Sequence, residues 1–209
     1  VPLDLYGSGA LESLLGNIDE VGRVAMAHEA VVEHFALRSG LTVIPLKLFT
    51  MFSTLERAVA DIAGRGRSLE RAMKKIEGAE EWGVRVTRRT TPAAARIVSA
   101  KASGKAFLAA KKQARDQVEG ARVAAAEAAT AVFDRLTAVS RDARRRDDRP
   151  VAGASPPLLD AAFLVDSRKR DRFTAAARQE AQACERAGAQ LTMTGPWPAY
   201  NFIQGDDRR

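Results

Sequence analysis

The stretch from Lys105 to about Arg141 contains no proline, and its apolar residues recur on a heptad: Ala110, Ala114, Val118, Ala121, Ala125, Ala128, Val132 and Val139. A continuous helix over that range reaches on the order of 55 Å at 1.5 Å per residue. Lys111, Lys112, Arg115, Asp116, Glu119, Arg122 and Glu127 lie largely off the stripe, so the helix has a distinct apolar line. The line is narrow and built mostly of alanine. It admits another helix closely but buries little area per residue, and it needs a partner, in this chain or another, to be stable. Any fold for this chain has to accommodate that rod.

The segments around the rod supply a sheet. EWGVRVTRR, from Glu81, has period two, with Trp82, Val84 and Val86 on one face and Arg85 and Thr87 on the other, which predicts a half-buried strand. Thr91 and Pro92 suit an N-cap and a first helical residue, so helical structure is expected over about 92–147, broken near Gly104. After the loop RPVAGASPP, LLDAAFLVD is a second strand candidate. Phe173, Ala177, Ala181 and Cys184 then line a helix that Gly188 ends, and QLTMT alternates again. Strand, long helices, strand, helix, strand predicts an α+β sheet with helices on one face, similar to a ferredoxin-like unit enlarged by a helical insertion. A fourth strand for such a unit is not visible in the sequence.

Upstream, Val21, Val24, Ala25, His28, Val31, Val32 and Phe35 repeat near 3.6 and predict a helix ended by Gly40. LTVIPLKLF reads as a short strand whose Pro45 confines it to an edge or to a strand's start. Ser53 with Glu56 forms a capping-box pattern, and GRGRS separates that helix from one through Met73 and Ile76. Two domains are expected, 1–80 and 81–209.

Composition narrows the function classes. The 209 residues are 46% apolar and 28% charged, a globular mixture. No apolar run approaches a membrane span and no leader pattern is present, so a soluble intracellular protein is the expectation, and a start at Val1 rather than Met suggests a fragment. A single cysteine, Cys184, fits a reducing compartment. The net charge of +7 raises an acidic partner, and nucleic-acid or other polyanion binding is the alternative function it motivates. Its cations, however, are interleaved with acids. The densest run, RDARRRDDR from Arg141 to Arg149, carries no aromatic residue to stack on a base and reads as a solvated helix end.

Catalytic and metal patterns fail on spacing. In HEAVVEH, His28 and His34 are six residues apart, and Val32 stands where a zinc helix would place its second histidine. GRGRSL has Leu69 at the third glycine position of a dinucleotide loop, and ASGKAF has Ser99 and Ala106 in place of a phosphate loop's first glycine and hydroxyl. Cys184 shares a helix face with Ala177 and Ala181, as a packed core thiol does. No catalytic, cofactor-binding or metal residue is assigned, and no enzyme is expected.

TGPWPAYNF, Thr194 to Phe202, concentrates three of the chain's 12 aromatic residues around two prolines. Pro196 and Pro198 exclude a regular helix or central strand, so Trp197 and Tyr200 are expected to clasp the sheet or an inter-domain seam. The candidate residues for partner contact or inter-domain packing are Trp197, Tyr200 and Phe202 in this tail and Ala114, Val118, Ala121 and Ala125 on the rod.

Six blocks in order, AHEAVVEHF, VIPLKLFTMF, EWGVRV, GKAFLAAKK, LLDAAFLVD and LTMTGPWPAYNF, resemble the gas vesicle protein L and F family across nearly the whole chain. The resemblance implies an accessory or minor structural protein of gas vesicle formation, without catalytic residues or cofactor. It would work through contacts with the small shell-forming subunit or other accessory proteins, at the gas vesicle and in the cytoplasm during assembly. It also implies two α+β domains, the second ferredoxin-like with extended helices. Two departures stand out. Leu48 and Phe49 occupy the positions of the family's last aromatic and glycine in P-L-R-F-G-T, and the family begins with further strands upstream of the position of Val1, so the first domain is expected to be truncated or separated from them.

Overall fold

The computed structural model describes residues 8–36, 41–89, 104–146 and 155–203. It combines helices with an antiparallel sheet, and its contacts divide the chain into two units. One comprises Val1–Gly78 with Trp197–Arg209, the other Ala79–Pro196.

Among its described residues the first unit is helical: α1 (Ser8–Leu15), α2 (Ile18–Ala36), α3 (Leu55–Gly64) and α4 (Gly66–Ile76). Asn17 Oδ1 accepts from the amides of Asp19 and Glu20 at 3.1 and 3.3 Å, and those acids favour the positive end of α2. α3 is capped by Thr54, whose hydroxyl accepts from the Arg57 amide at 3.3 Å, one residue beyond the expected Ser53.

The strand expected at LTVIPLKLF does not form. Residues 41–47 are irregular, Pro45 removes a donor, and the described residues supply no neighbouring strand to pair with. The segment is held instead by a hydrogen bond between His28 Nε2 and the Leu46 carbonyl, at 3.1 Å. It turns at Phe49, whose φ of 62° is a left-handed conformation that glycine adopts at no steric cost.

The second unit begins with β1 (Ala79–Arg88) and continues through α5 (Gly104–Thr137), β2 (Asp142–Arg145), β3 (Leu159–Asp166), a single 3-10 turn at Ser167–Lys169, α6 (Arg170–Arg186) and β4 (Ala189–Trp197). The sheet order is β2-β3-β1-β4, and β3 runs antiparallel to both β1 and β2. β2 is the strand that the sequence hid. It lies inside the arginine-rich run read as a helix end, so helix over 92–147 is corrected: α5 stops at Thr137, and residues 92–103 lie outside the described set. An edge strand of four residues needs no apolar alternation, because one of its ladder sides has no neighbour.

On one sheet face the β1–β3 register pairs Trp82 with Phe163, Val84 with Ala161 and Val86 with Leu159, so that apolar side chains meet across the two strands. α5 adds Ala125, Ala129, Val132 and Leu136 to this core, and α6 adds Phe173, Ala177 and Cys184. Phe163 sits with its ring centroid 5.6 Å from Phe173 and 5.8 Å from Phe133. Burial raises the Cys184 thiol above its ordinary pKa, with Glu180 adding to the effect, as befits a packing residue.

The opposite face carries charge. Buried Asp160 accepts from Arg85 Nε at 2.6 Å and from Arg146 Nε at 2.7 Å, so both its oxygens are engaged. Gly83 lies beside this network because a Cβ there would stand 2.7 Å from Thr194 Oγ1.

Candidate partner-contact surface

α5 has 34 residues, about 51 Å at 1.5 Å each. Its C-terminal half belongs to the second unit's core. Ala125, Ala129, Val132 and Leu136 are at most 2% exposed, and at the end of the helix the Arg141 amide donates to the Leu164 carbonyl of β3 at 2.7 Å. The N-terminal half carries the same heptad into solvent. Val118, two repeats before Val132, is 71% exposed, and Ala114 and Ala121 are exposed with it.

The candidate residues of the rod therefore separate. Ala125 is core, while Ala114, Val118 and Ala121 form a surface line. Three residues absent from the sequence reading extend the exposed apolar surface of this half: Phe107 at 50%, Leu108 at 66% and Val123 at 47%. Phe107 was legible in principle, since it precedes Ala114 by one heptad.

The tail residues go elsewhere. Ala199 and Phe202 are buried in the first unit, with Lys75 Nζ 5.7 Å from the Phe202 ring centroid. The Tyr200 hydroxyl donates to Glu29 Oε2 on α2 at 2.5 Å. Turn-forming bonds from the Tyr200 amide to the Pro198 carbonyl and from the Phe202 amide to the Ala199 carbonyl shape the segment. Trp197, the last residue of β4, remains 41% exposed.

The described part of the arginine run is engaged within the protein. Arg141 pairs with Asp166 and Arg146 with Asp160, while the Arg145 guanidinium carbon lies 4.2 Å from the Phe133 ring centroid. Lys169 and Arg141 together hold the Asp166 carboxyl below its usual range. Of the histidines, His28 bonds to Leu46 and His34 meets the edge of Phe35 at 5.2 Å. Among the described residues no three His, Cys, Asp or Glu side chains gather as metal ligands, and no helix is long and apolar enough to cross a membrane.

Comparison with known proteins gives this surface a context. The sequence profile of a family described as "Gas vesicle synthesis protein GvpL/GvpF" matches residues 1–204. The chain is 29% identical to gas vesicle protein L of Streptomyces sp. (strain CB03234) over 219 aligned residues, covering 97% of this chain and 77% of that protein. Its fold is similar to the crystal structure of gas vesicle protein GvpF from Anabaena sp. PCC7120, with a TM-score of 0.63 and 18% identity, covering 90% of this chain and 77% of the other. GvpF from Microcystis aeruginosa is similar as well, with a TM-score of 0.60 and 14% identity over 88% of this chain and 78% of that one.

Proposed function

The chain belongs to the gas vesicle synthesis protein GvpL/GvpF family, which places its role in gas vesicle formation, and we propose that it acts there by protein–protein contact. In this reading it is an accessory or minor structural protein that binds the small shell-forming subunit or other assembly factors, in the cytoplasm while the shell grows and at the gas vesicle itself. The reading gives it a binding surface and no catalytic step. We also read the second unit as a ferredoxin-like sheet carrying an extended helix. Its β-α-β-β-α-β order and its β2-β3-β1-β4 arrangement support that reading.

The observation that carries the proposal is the split in α5. A helix whose heptad line is core at Val132 and 71% exposed at Val118 presents an apolar row in the form that a partner helix takes up. Polyanion binding, motivated by the net charge of +7, is the less supported alternative, because Arg141, Arg145 and Arg146 of the densest basic run are engaged by Asp166, Phe133 and Asp160.

The test is to express the chain with the remaining gas vesicle genes, comparing wild type with Val118→Asp. The proposal expects the variant to fold with an unchanged denaturation midpoint, to lose co-purification with the shell subunit or another accessory protein, and to lower vesicle yield. Unchanged association and yield would overturn it.

A further inference from the structure

The exposed half of α5 differs from the packed half in more than burial. In the packed half, one border of the seam is apolar, formed by Ala129 and Phe133. Two repeats earlier the equivalent positions are charged: Lys111 stands at the heptad position of Ala125, Arg115 and Arg122 at those of Ala129 and Leu136, all within about 60° of Val118, and Glu119 at that of Phe133. The other border stays neutral, with Ala110, Gln117 and Ala124. A heptad line that is continuous with a built interface thus keeps Phe107, Ala114, Val118 and Ala121 but takes up cations at Lys111 and beside it at Arg115 and Arg122 where it leaves the sheet.

These cations are available. Lys111 and Arg115 are exposed and make no ion pair among the described residues. Arg122 has only a 3.7 Å contact with Glu119, both side chains being more than 60% exposed, a pair worth little in water. Alanines at 110, 114 and 121 allow a neighbouring helix to come close enough for side chains on this border to be reached.

We propose that the exposed half of α5 receives an amphipathic helix whose apolar face is bordered on one side by carboxylates. This rests on the contact reading above and names the chemistry of the partner. The run from Lys105 to Val123 is about 28 Å long at 1.5 Å per residue, room for a docked helix of about five turns. Apolar contact at Phe107, Ala114, Val118 and Ala121 supplies the burial, and the cationic border sets orientation and rejects a basic partner. A second copy of α5 docked antiparallel would set Arg115 and Arg122 against their own kind, which disfavours self-association. A nucleic acid would use the cations but leave the apolar row in water.

The experiment titrates two labelled helical peptides onto the full chain, following fluorescence anisotropy. Both have the same apolar line over about three heptads; one carries glutamates along its border and the other lysines. The proposal expects the glutamate peptide to bind at least about tenfold more tightly, with affinity falling as salt rises. It expects the preference to reverse in the triple variant Lys111→Glu, Arg115→Glu, Arg122→Glu, whose folding is checked by circular dichroism. Equal binding of the two peptides, or binding of neither, overturns the proposal. So does tighter binding of a DNA duplex than of the glutamate peptide, or dimerisation of the chain that Val118→Asp abolishes. If the peptides show no preference while Val118→Asp still lowers vesicle yield, this inference fails and the contact reading survives. If the preference is found but Val118→Asp leaves vesicles unaffected, the contact reading fails instead.

Discussion

Val118 and Val132 are the same residue type at the same heptad position of one helix, yet one is 71% exposed and the other 0%. Sequence periodicity reports which residues share a face of a helix; it is silent on what that face meets. Val132 belongs to a cluster to which the sheet contributes Phe163 and Val165 and α6 contributes Phe173, so the face is core. At Val118 the same face reaches past the sheet, and the flanking residues change from apolar to cationic accordingly. Lys111, placed off the stripe in the sequence, occupies the heptad position of Val118 and Val132 itself, and Arg122 lies beside it.

The largest test of the contrast truncates one residue in each half. Leu136→Ala should cost about 3 kcal/mol in urea denaturation, because a fully buried side chain leaves a cavity. Val118→Ala should stay within about 0.5 kcal/mol of wild type. Similar costs at the two sites would mean that both halves are packed in solution.

A smaller effect probes what holds the exposed half. Gly120 has nothing within 4 Å of a Cβ built on it, so Gly120→Ala adds helix propensity without a clash. The change should slow amide exchange around residues 114–123 about fivefold, the equivalent of about 1 kcal/mol, while leaving the global denaturation midpoint unmoved. A shift in the midpoint would show that this half unfolds together with the core.

The smallest effect concerns the anchor behind the packed half. Because Asp166 has a folded pKa depressed by Lys169 and Arg141, its contribution is complete above the unfolded aspartate value near 3.9 and fades as pH falls through the lower folded value. Asp166→Asn should therefore cost something under about 1 kcal/mol at pH 7. The gap between the denaturation curves of the two proteins should shrink as pH falls below the unfolded aspartate value. A gap that persists in acid would assign the effect to packing rather than charge.

How far the sequence could be read depended on the kind of signal. β1 and β3 were visible because Trp82, Val84 and Val86 alternate and LLDAAFLVD is apolar apart from Asp160 and its last residue, signals that burial imposes directly. β2 was not, since DARR at a sheet edge is specified by its ladder to β3 and by the pairs Arg141–Asp166 and Arg146–Asp160, which link residues far apart in sequence. LTVIPLKLF had the composition of a strand without a neighbour to complete it among the described residues. On the contact surface, the stripe was legible from Ala110 onward. Its division at Ala121 to Ala125 was not, because that depends on where the sheet ends.

The return of the last described segment to the first unit also bears on how the protein is made. Val32 and Ile76 are synthesised early, but Ala199 and Phe202, which are buried in the same unit, follow the whole of the second unit. Domains usually fold in the order in which they leave the ribosome. Here the unit translated first is completed last. Until Phe202 emerges, its site beside Lys75 is unfilled and Glu29 lacks the Tyr200 hydroxyl, so a nascent chain carries an unfinished amino-terminal unit throughout its synthesis.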